Sequence, residues 1–125
     1  MQGWIGVDLD GTLAHWDHWH EAGIIGKPIE PMVERVRKWL AEGKAVRIFT
    51  ARADENEAGY KTNMIGIRLW CQDVFGQVLP ITNKKDRWMI ELWDDRCIQV
   101  GLNTGQPVVP YLEGQCREPD RDMPH

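Results

Sequence analysis

Apolar and polar positions alternate near the amino terminus of the chain. The apolar positions there are Ile5, Val7 and Leu9. This alternation predicts a short buried β-strand, which ends where Asp10-Gly11 signals a turn. Because side chains in a strand alternate between faces, Asp8 and Asp10 are expected on the same side of the strand's carboxyl end. Two adjacent carboxylates repel one another unless a cation intervenes, so this strand end is a candidate chemical site.

Two longer stretches have apolar residues every three to four positions, which predicts two amphipathic helices. In the first stretch these residues are Met32, Val33, Val36, Trp39 and Leu40. In the second they are Tyr60, Met64, Ile67, Cys71 and Val74. Pro28 and Pro31 precede the first helix, where proline is tolerated, and Gly43 and Gly76 supply the two helix ends.

Further short apolar runs predict strands over 45–50, 77–82, 89–93 and 97–100. Pro80 places the strand over 77–82 near an edge of the sheet. The strand–helix–strand order favours right-handed crossovers and a parallel sheet. The chain is therefore expected to fold as an open α/β domain.

Composition and charge narrow the possible functions. The 125 residues carry a formal net charge of −4, which argues against a general nucleic-acid-coating protein but not against recognition of one strand end. There is no apolar run of about 20 residues and no secretory signal, so no membrane partner is expected. Three widely spaced cysteines match neither a zinc nor a disulfide framework, which favours reduced thiols and a cytoplasmic location.

Chemically capable residues follow four of the predicted strands. They are Asp8 and Asp10, then Thr50 and Arg52, then Lys84 and Lys85, and finally Asp94 and Asp95. In open α/β sheets, reactive groups gather beyond the carboxyl ends of the strands. These residues are therefore expected to meet at one edge of the domain.

The order of these residues resembles the four motifs of the haloacid dehalogenase-type phosphatases, over about 7–96. The stretches Phe49-Thr50-Ala51-Arg52 and Trp93-Asp94-Asp95-Arg96 look most like small, nearly capless members, comparable with domains that remove 3′-phosphates from nucleic acids. The resemblance implies an open, parallel, Rossmann-like sheet flanked by helices. It implies a phosphatase domain over 1–112, with a minimal flap at about 14–27 and a flexible tail over 113–125.

The same resemblance implies an enzyme with a Mg²⁺ cofactor. Asp8 would be the nucleophile that forms an aspartyl phosphate, and Asp10 the general acid and base. Asp8, the backbone carbonyl of Asp10, and Asp94 or Asp95 would bind the metal. Thr50 would donate a hydrogen bond to a phosphoryl oxygen, and a lysine would neutralise the transferring group.

The remaining expected site residues contact the substrate. They are Gly11, Thr12, Trp16, Trp19, Ala51, Arg52 and Lys84. The motif lysine usually precedes the next helix in the family, which favours Lys85 over Lys84. Arg52 has two interpretations, a fork onto a substrate phosphate or an ion pair with an acid between Asp54 and Glu57.

The segment over 14–27 lies where the family inserts its first cap. It is too short for a cap domain with its own core, so it is expected to form a flap that leaves the site open to large substrates. Trp16 and Trp19 would give this flap a base-stacking face, which points to a nucleotide or nucleic-acid end as substrate. His15, His18 and His20 with Asp17 are a weaker candidate for a transition-metal site, because their spacing follows no usual signature.

Two other functions remain open at this point. A two-component receiver also combines acids, threonine and lysine around Mg²⁺, but its phosphorylated Asp follows the third strand, where this chain has Thr82-Asn83. A phosphate-binding protein without turnover is the other alternative. Sugar phosphates and phosphoproteins also remain possible substrates, and the sequence leaves open whether the chain is a monomer or a homo-oligomer.

Overall fold

The structure is a computed structural model that describes residues 2–17 and 21–110. In chain order the elements are β1 (Trp4–Val7), α1 (Glu30–Ala41), β2 (Ala45–Phe49), α2 (Tyr60–Phe75), β3 (Ile81–Thr82) and β4 (Met89–Trp93). A single 3₁₀ turn, Ala51–Ala53, follows β2 directly. The two helices and the four strands over 4–7, 45–49, 81–82 and 89–93 lie within stretches that the sequence predicts for them.

The four strands form one sheet in the order β3-β2-β1-β4, and all neighbouring strands are parallel. Val7 of β1 is level with Ile48 of β2 on one side and with Trp93 of β4 on the other. The predicted α/β class with a parallel sheet is therefore confirmed. Because β3 lies at an edge of the sheet, the position inferred from Pro80 is confirmed as well.

Both helices pack on the same face of the sheet and share one hydrophobic core. Fully buried core side chains are contributed by β1, α1, β2 and α2, and they include Val7, Val33, Val36, Ile48, Ile67 and Cys71. The buried residues of each helix follow the three-to-four-residue pattern in the sequence. Burial of this apolar stripe fixes the rotation of each helix against the sheet.

On the opposite face of the sheet, Trp4 contacts the segment that leads from β3 to β4. The Trp4 indole Nε1–H donates to Asp86 Oδ1 at 2.9 Å, and the Arg47 guanidinium lies 4.4 Å above the Trp4 ring. The Trp4 hydrogen bond, with the Trp88 backbone N–H next, lowers the pKa of Asp86 below its ordinary value. Parallel strands are usually joined through a helix, but the segment 83–88 contains none. Contacts of Asp86 with Trp4 and Arg47 hold this segment to the sheet.

Two predicted strands differ from the structure. The strand expected over 77–82 is limited to Ile81–Thr82, because Pro80 has no N–H to contribute to the ladder. The segment 97–100 is not a strand of the sheet. It turns back on itself near Asn103, and its backbone bonds join Gln99 to Val108 and Gly101 to Gln106 instead of extending the sheet.

The predicted tail over 113–125, together with the last two residues of the expected domain, lies outside the described residues. Within 2–17 and 21–110, neither helix is long and apolar enough to cross a membrane.

Two isoleucines on α2 provide a matched test of this packing. Ile67 is fully buried between helix and sheet, whereas the Ile65 side chain is 58% exposed. Ile67→Ala should reduce the free energy of unfolding by about 2–5 kcal/mol, because it leaves a cavity in the core. Ile65→Ala should change it by no more than about 0.5 kcal/mol. Urea denaturation of both variants measures the difference, and equal losses would contradict the assigned helix face.

Candidate functional site

The chain makes a tight turn directly after β1. Asp8 and Asp10 are both almost fully buried there, and the Asp8 backbone N–H donates to the Trp93 carbonyl of β4 at 2.9 Å. The backbone N–H groups of Leu13 and Ala14 both donate to the Leu9 carbonyl, which closes the turn. The turn therefore fixes the first two predicted catalytic carboxylates against the end of the neighbouring strand.

Asp8, Asp94 and Asp95 converge at this sheet edge. One carboxylate oxygen from each lies within 4.8 Å of the others. The Thr12 hydroxyl lies between two of them, 3.2 Å from Asp8 Oδ2 and 3.1 Å from Asp95 Oδ1, and it also accepts the Asp95 backbone N–H at 3.1 Å. Parallel neighbouring strands thus bring together three of the predicted metal-binding carboxylates.

Gly11 is required by the same arrangement. Its φ angle is +91°, a left-handed conformation that favours glycine, and an added Cβ would lie 2.9 Å from Asp95 Oδ2. Gly11 therefore has a structural role, since a side chain here would displace Asp95. Its contact with the substrate stays a prediction.

The electrostatics of the cluster are unfavourable for three ionised carboxylates. Burial, followed by the negative charges of Asp94 and Asp95, raises the pKa of Asp8 from 3.8 to about 9, while the Thr12 hydrogen bond acts in the opposite direction. A carboxylate in this setting is stabilised by a cation. Oxygen ligands of this kind suit a hard divalent cation such as Mg²⁺, so the residues present fit the expected metal.

The carboxylate of Asp10 faces a different partner. Arg52 Nε donates to Asp10 Oδ2 at 2.8 Å and Arg52 Nη2 donates to Asp10 Oδ1 at 2.9 Å, and both side chains are buried. Both interpretations of Arg52 from sequence placed its guanidinium elsewhere, on a substrate phosphate or on an acid between Asp54 and Glu57. Since the predicted metal contact of Asp10 involves its backbone carbonyl, this ion pair does not compete with it.

Thr50 begins the 3₁₀ turn after β2 and is buried. Its hydroxyl oxygen accepts the Arg52 backbone N–H at 3.2 Å, which leaves the hydroxyl hydrogen to donate elsewhere. The next predicted contact residue, Ala51, is exposed.

The two candidate lysines are exposed after β3. The Lys84 backbone N–H donates to Thr82 Oγ1 at 3.0 Å, and among the described residues neither lysine ammonium forms an ion pair with a carboxylate. Because no helix lies between Thr82 and Met89, the helix-based preference for Lys85 has no basis here, and both lysines stay candidates.

The expected flap is closed at its base by paired backbone segments. The His15 N–H donates to the Lys27 carbonyl and the Ile29 N–H donates to the Leu13 carbonyl, each at 2.8 Å. Trp16 lines a pocket of about 250 Å³ together with Asp10, Glu21, Ile24 and Arg52.

The other flap predictions are tested only in part. His18, Trp19 and His20 lie outside the described residues. His15 Nδ1 is 3.7 Å from Asp17 Oδ1, and the metal-competent cluster found within the described ranges contains no histidine.

Sequence reasoning missed Asn63, which is buried on α2 and binds Arg52. Its Oδ1 accepts from Arg52 Nη1 at 3.0 Å and from the Gly23 backbone N–H at 2.9 Å. A signal was available in the sequence, since Asn63 lies four residues before Ile67, on the apolar stripe of the helix.

Comparison of the chain with protein-family models, with curated proteins and with solved structures finds no match. Support for a function therefore comes from the geometry of the site.

The raised pKa of Asp8 makes metal binding dependent on pH. Because Mg²⁺ requires the ionised carboxylate, binding should release a proton, and the affinity should rise by up to about tenfold per pH unit below the pKa of about 9. Asp8→Asn should weaken binding and abolish this dependence, whereas Asp73→Asn, at an exposed position on α2, should preserve both. Calorimetric titration at several pH values measures the effect.

Stability gives a second readout of the same pKa. Metal-free folded protein keeps a proton on Asp8 that unfolded protein loses above pH 3.8, so stability from this group falls as pH rises toward about 9. Mg²⁺ should reverse that loss. A wild-type Mg²⁺ affinity that is constant over this range would contradict the assignment of Asp8 to the metal site.

Proposed function

We propose that the chain is a Mg²⁺-dependent phosphomonoester hydrolase of the haloacid dehalogenase type, acting through an aspartyl phosphate on Asp8. The observation that carries the proposal is the convergence of buried Asp8 with Asp94 and Asp95 at the carboxyl ends of two parallel strands. A carboxylate beside a metal-competent cluster is suited to attack a phosphate whose own charge would otherwise repel it.

The proposed reaction has two displacements. A carboxylate oxygen of Asp8 attacks phosphorus, the bond to the leaving oxygen breaks, and that oxygen takes a proton from Asp10. Asp10 would carry this proton in the substrate complex and would end the step as the carboxylate that pairs with Arg52. Water then attacks the phosphorus of the aspartyl phosphate and gives its proton to Asp10. The bond to Asp8 breaks, which releases inorganic phosphate and restores both carboxyl groups.

Asp8, Asp94 and Asp95, with the Asp10 backbone carbonyl, would hold the Mg²⁺ ion. When bound, this ion would offset the charge repulsion between the cluster and the phosphate. Thr12 orients Asp8 and Asp95 through the hydroxyl that lies between them. Thr50, with Lys84 or Lys85, would bind the phosphoryl oxygens.

The substrate that best fits this site is a phosphate on a nucleotide or a nucleic-acid end. The pocket beside Asp10 is where the leaving group would extend, because Asp10 protonates the leaving oxygen. Trp16 and Ile24 offer this pocket apolar surface on which a base can stack. Exposed Lys84 and Lys85 add positive charge to a chain whose net charge is negative.

Hydrolysis is tested with a panel of phosphomonoesters in the presence of Mg²⁺. Asp8→Asn should abolish turnover, because an amide cannot supply the attacking oxyanion, and Asp73→Asn should retain it. Chelation of the metal should also abolish it. No hydrolysis of any panel member by the wild-type protein, or full activity of Asp8→Asn, would contradict the proposal, and a long-lived acyl phosphate would instead indicate a signalling module.

The substrate class is tested by comparing oligonucleotide 3′-phosphates, mononucleotides and sugar phosphates. Trp16→Ala should lower kcat/KM for the nucleic-acid substrates by the loss of one stacking contact, about 1–3 kcal/mol, or roughly 5- to 150-fold. Trp88→Ala removes an indole outside the pocket that is 38% exposed and has the Arg87 guanidinium over its ring, and it should have no such effect. Preferential hydrolysis of sugar phosphates that is insensitive to Trp16→Ala would reject the nucleic-acid substrate while retaining the phosphatase.

A further inference from the structure

Asn63 is a polar side chain on the buried face of α2, and its exposed fraction is only 7%. One atom, Oδ1, accepts two hydrogen bonds, from the Gly23 backbone N–H and from Arg52 Nη1, at 2.9 and 3.0 Å. An amide oxygen has two lone pairs, so both are used. The flap and the arginine that holds Asp10 are therefore both bonded to this one oxygen atom.

The planar shape of the Arg52 guanidinium extends this connection from Asn63 to Asp10. A guanidinium is planar and its N–H groups have fixed directions, so holding Nη1 also sets where Nε and Nη2 point. In this structure Nε and Nη2 form the two bonds to Asp10. The position of Asn63 thus determines the direction of the Asp10 carboxylate through Arg52.

The flap is attached to α2 and to Arg52 at several points around Asn63. The Trp70 indole Nε1–H donates to the Gly26 carbonyl at 3.0 Å, and Arg52 Nη1 lies 3.4 Å from the Glu21 carbonyl oxygen. Gly66 lies so close to the flap that an added Cβ would be 2.2 Å from the Gly23 carbonyl oxygen. These contacts hold the part of the flap over 21–26 against the helix.

We propose that Asn63 is a positioning residue that couples flap docking to the orientation of Asp10. The inference rests on the proposed phosphatase function, in which Asp10 must face the leaving oxygen. When the flap is docked, Gly23 and Arg52 share the Asn63 oxygen, and Arg52 holds Asp10 in one direction. When Asn63 is lost, the flap and the guanidinium lose a shared anchor together.

The test compares Asn63→Ala with Asn56→Ala, which alters an asparagine that is exposed and lies before α2. Asn63→Ala should lower kcat for alkyl phosphates by about 10- to 100-fold, the scale of a misplaced catalytic group, with little change in KM. Aryl phosphates, whose leaving oxygen needs less protonation, should lose less. Asp10→Asn should show the same ranking of the two substrate types, and Asn56→Ala should show neither effect.

Two further variants separate positioning from a general loss of structure. Asn63→Asp keeps an acceptor oxygen in the same place, so it should recover most of the alkyl-phosphate kcat. Gly66→Ala leaves Asn63 intact but pushes the flap from α2, so it should lose protection over 21–26 with a smaller loss of kcat. Equal losses for alkyl and aryl phosphates in Asn63→Ala, or failure of Asn63→Asp to recover activity, would overturn the proposal.

Hydrogen exchange and NMR separate this inference from the proposed function. In wild-type protein, the Gly23 amide and the Arg52 Nε–H should both be protected, and Asn63→Ala should expose both while Asn56→Ala leaves them protected. If the wild-type protein hydrolyses no phosphate, the phosphatase proposal fails and this readout alone decides the positioning role. Unchanged protection of both groups in Asn63→Ala would overturn it even in an active enzyme.

Discussion

The buried ion pair between Asp10 and Arg52 is the interaction on which the arrangement of the site depends. Removing two charges from water costs several kcal/mol per ion, so such a pair persists only where its remaining hydrogen-bonding groups are satisfied. Here the carboxylate receives two bonds from the guanidinium, and Asn63 accepts a third. These bonds require fixed relative positions of four parts of the chain, namely the end of β1, the turn after β2, α2 and the flap. If one of them moves, a charge of the ion pair loses a partner.

The parallel sheet imposes a second constraint that works against stability. It places the carboxyl end of β4 beside that of β1, and so brings Asp94 and Asp95 to Asp8 from a distant part of the sequence. Burial of Asp8, followed by the nearby charges of Asp94 and Asp95, raises the pKa of Asp8 to about 9, so three ionised carboxylates at such distances are costly without a cation. Carboxyl groups with strongly shifted pKa values are common at functional sites, where they lower the stability of the fold.

The sequence predicts the parts of this molecule that depend on local periodicity. Both helices, the parallel class of the sheet and the clustering of Asp8 with Asp94 and Asp95 follow from apolar spacing and from the position of each acid after its strand. The segment 97–100 has the composition of a strand, but whether it pairs depends on tertiary contacts that composition does not record.

The least predictable features are those that depend on which side chains meet across elements. The sequence places Thr50 and Arg52 at a strand end, but neither interpretation of Arg52 names Asp10, because charge alone does not distinguish Asp10 from the acids over 54–57. Asn63 was missed for a related reason. A polar residue on an apolar helix face indicates that a partner exists, but the partner in this case is a backbone amide of the flap, which has no signature in the sequence.

The closed base of the flap has a consequence for how this fold can change. The backbone bonds between Leu13 and Ile29 and between His15 and Lys27 join the two ends of the flap independently of what lies between them. Extra residues inserted between Asp17 and Glu21 would leave those bonds and the contacts of Gly23 and Gly26 in place. This architecture can therefore accept a longer segment at this point of the chain without rebuilding the sheet or the acidic cluster.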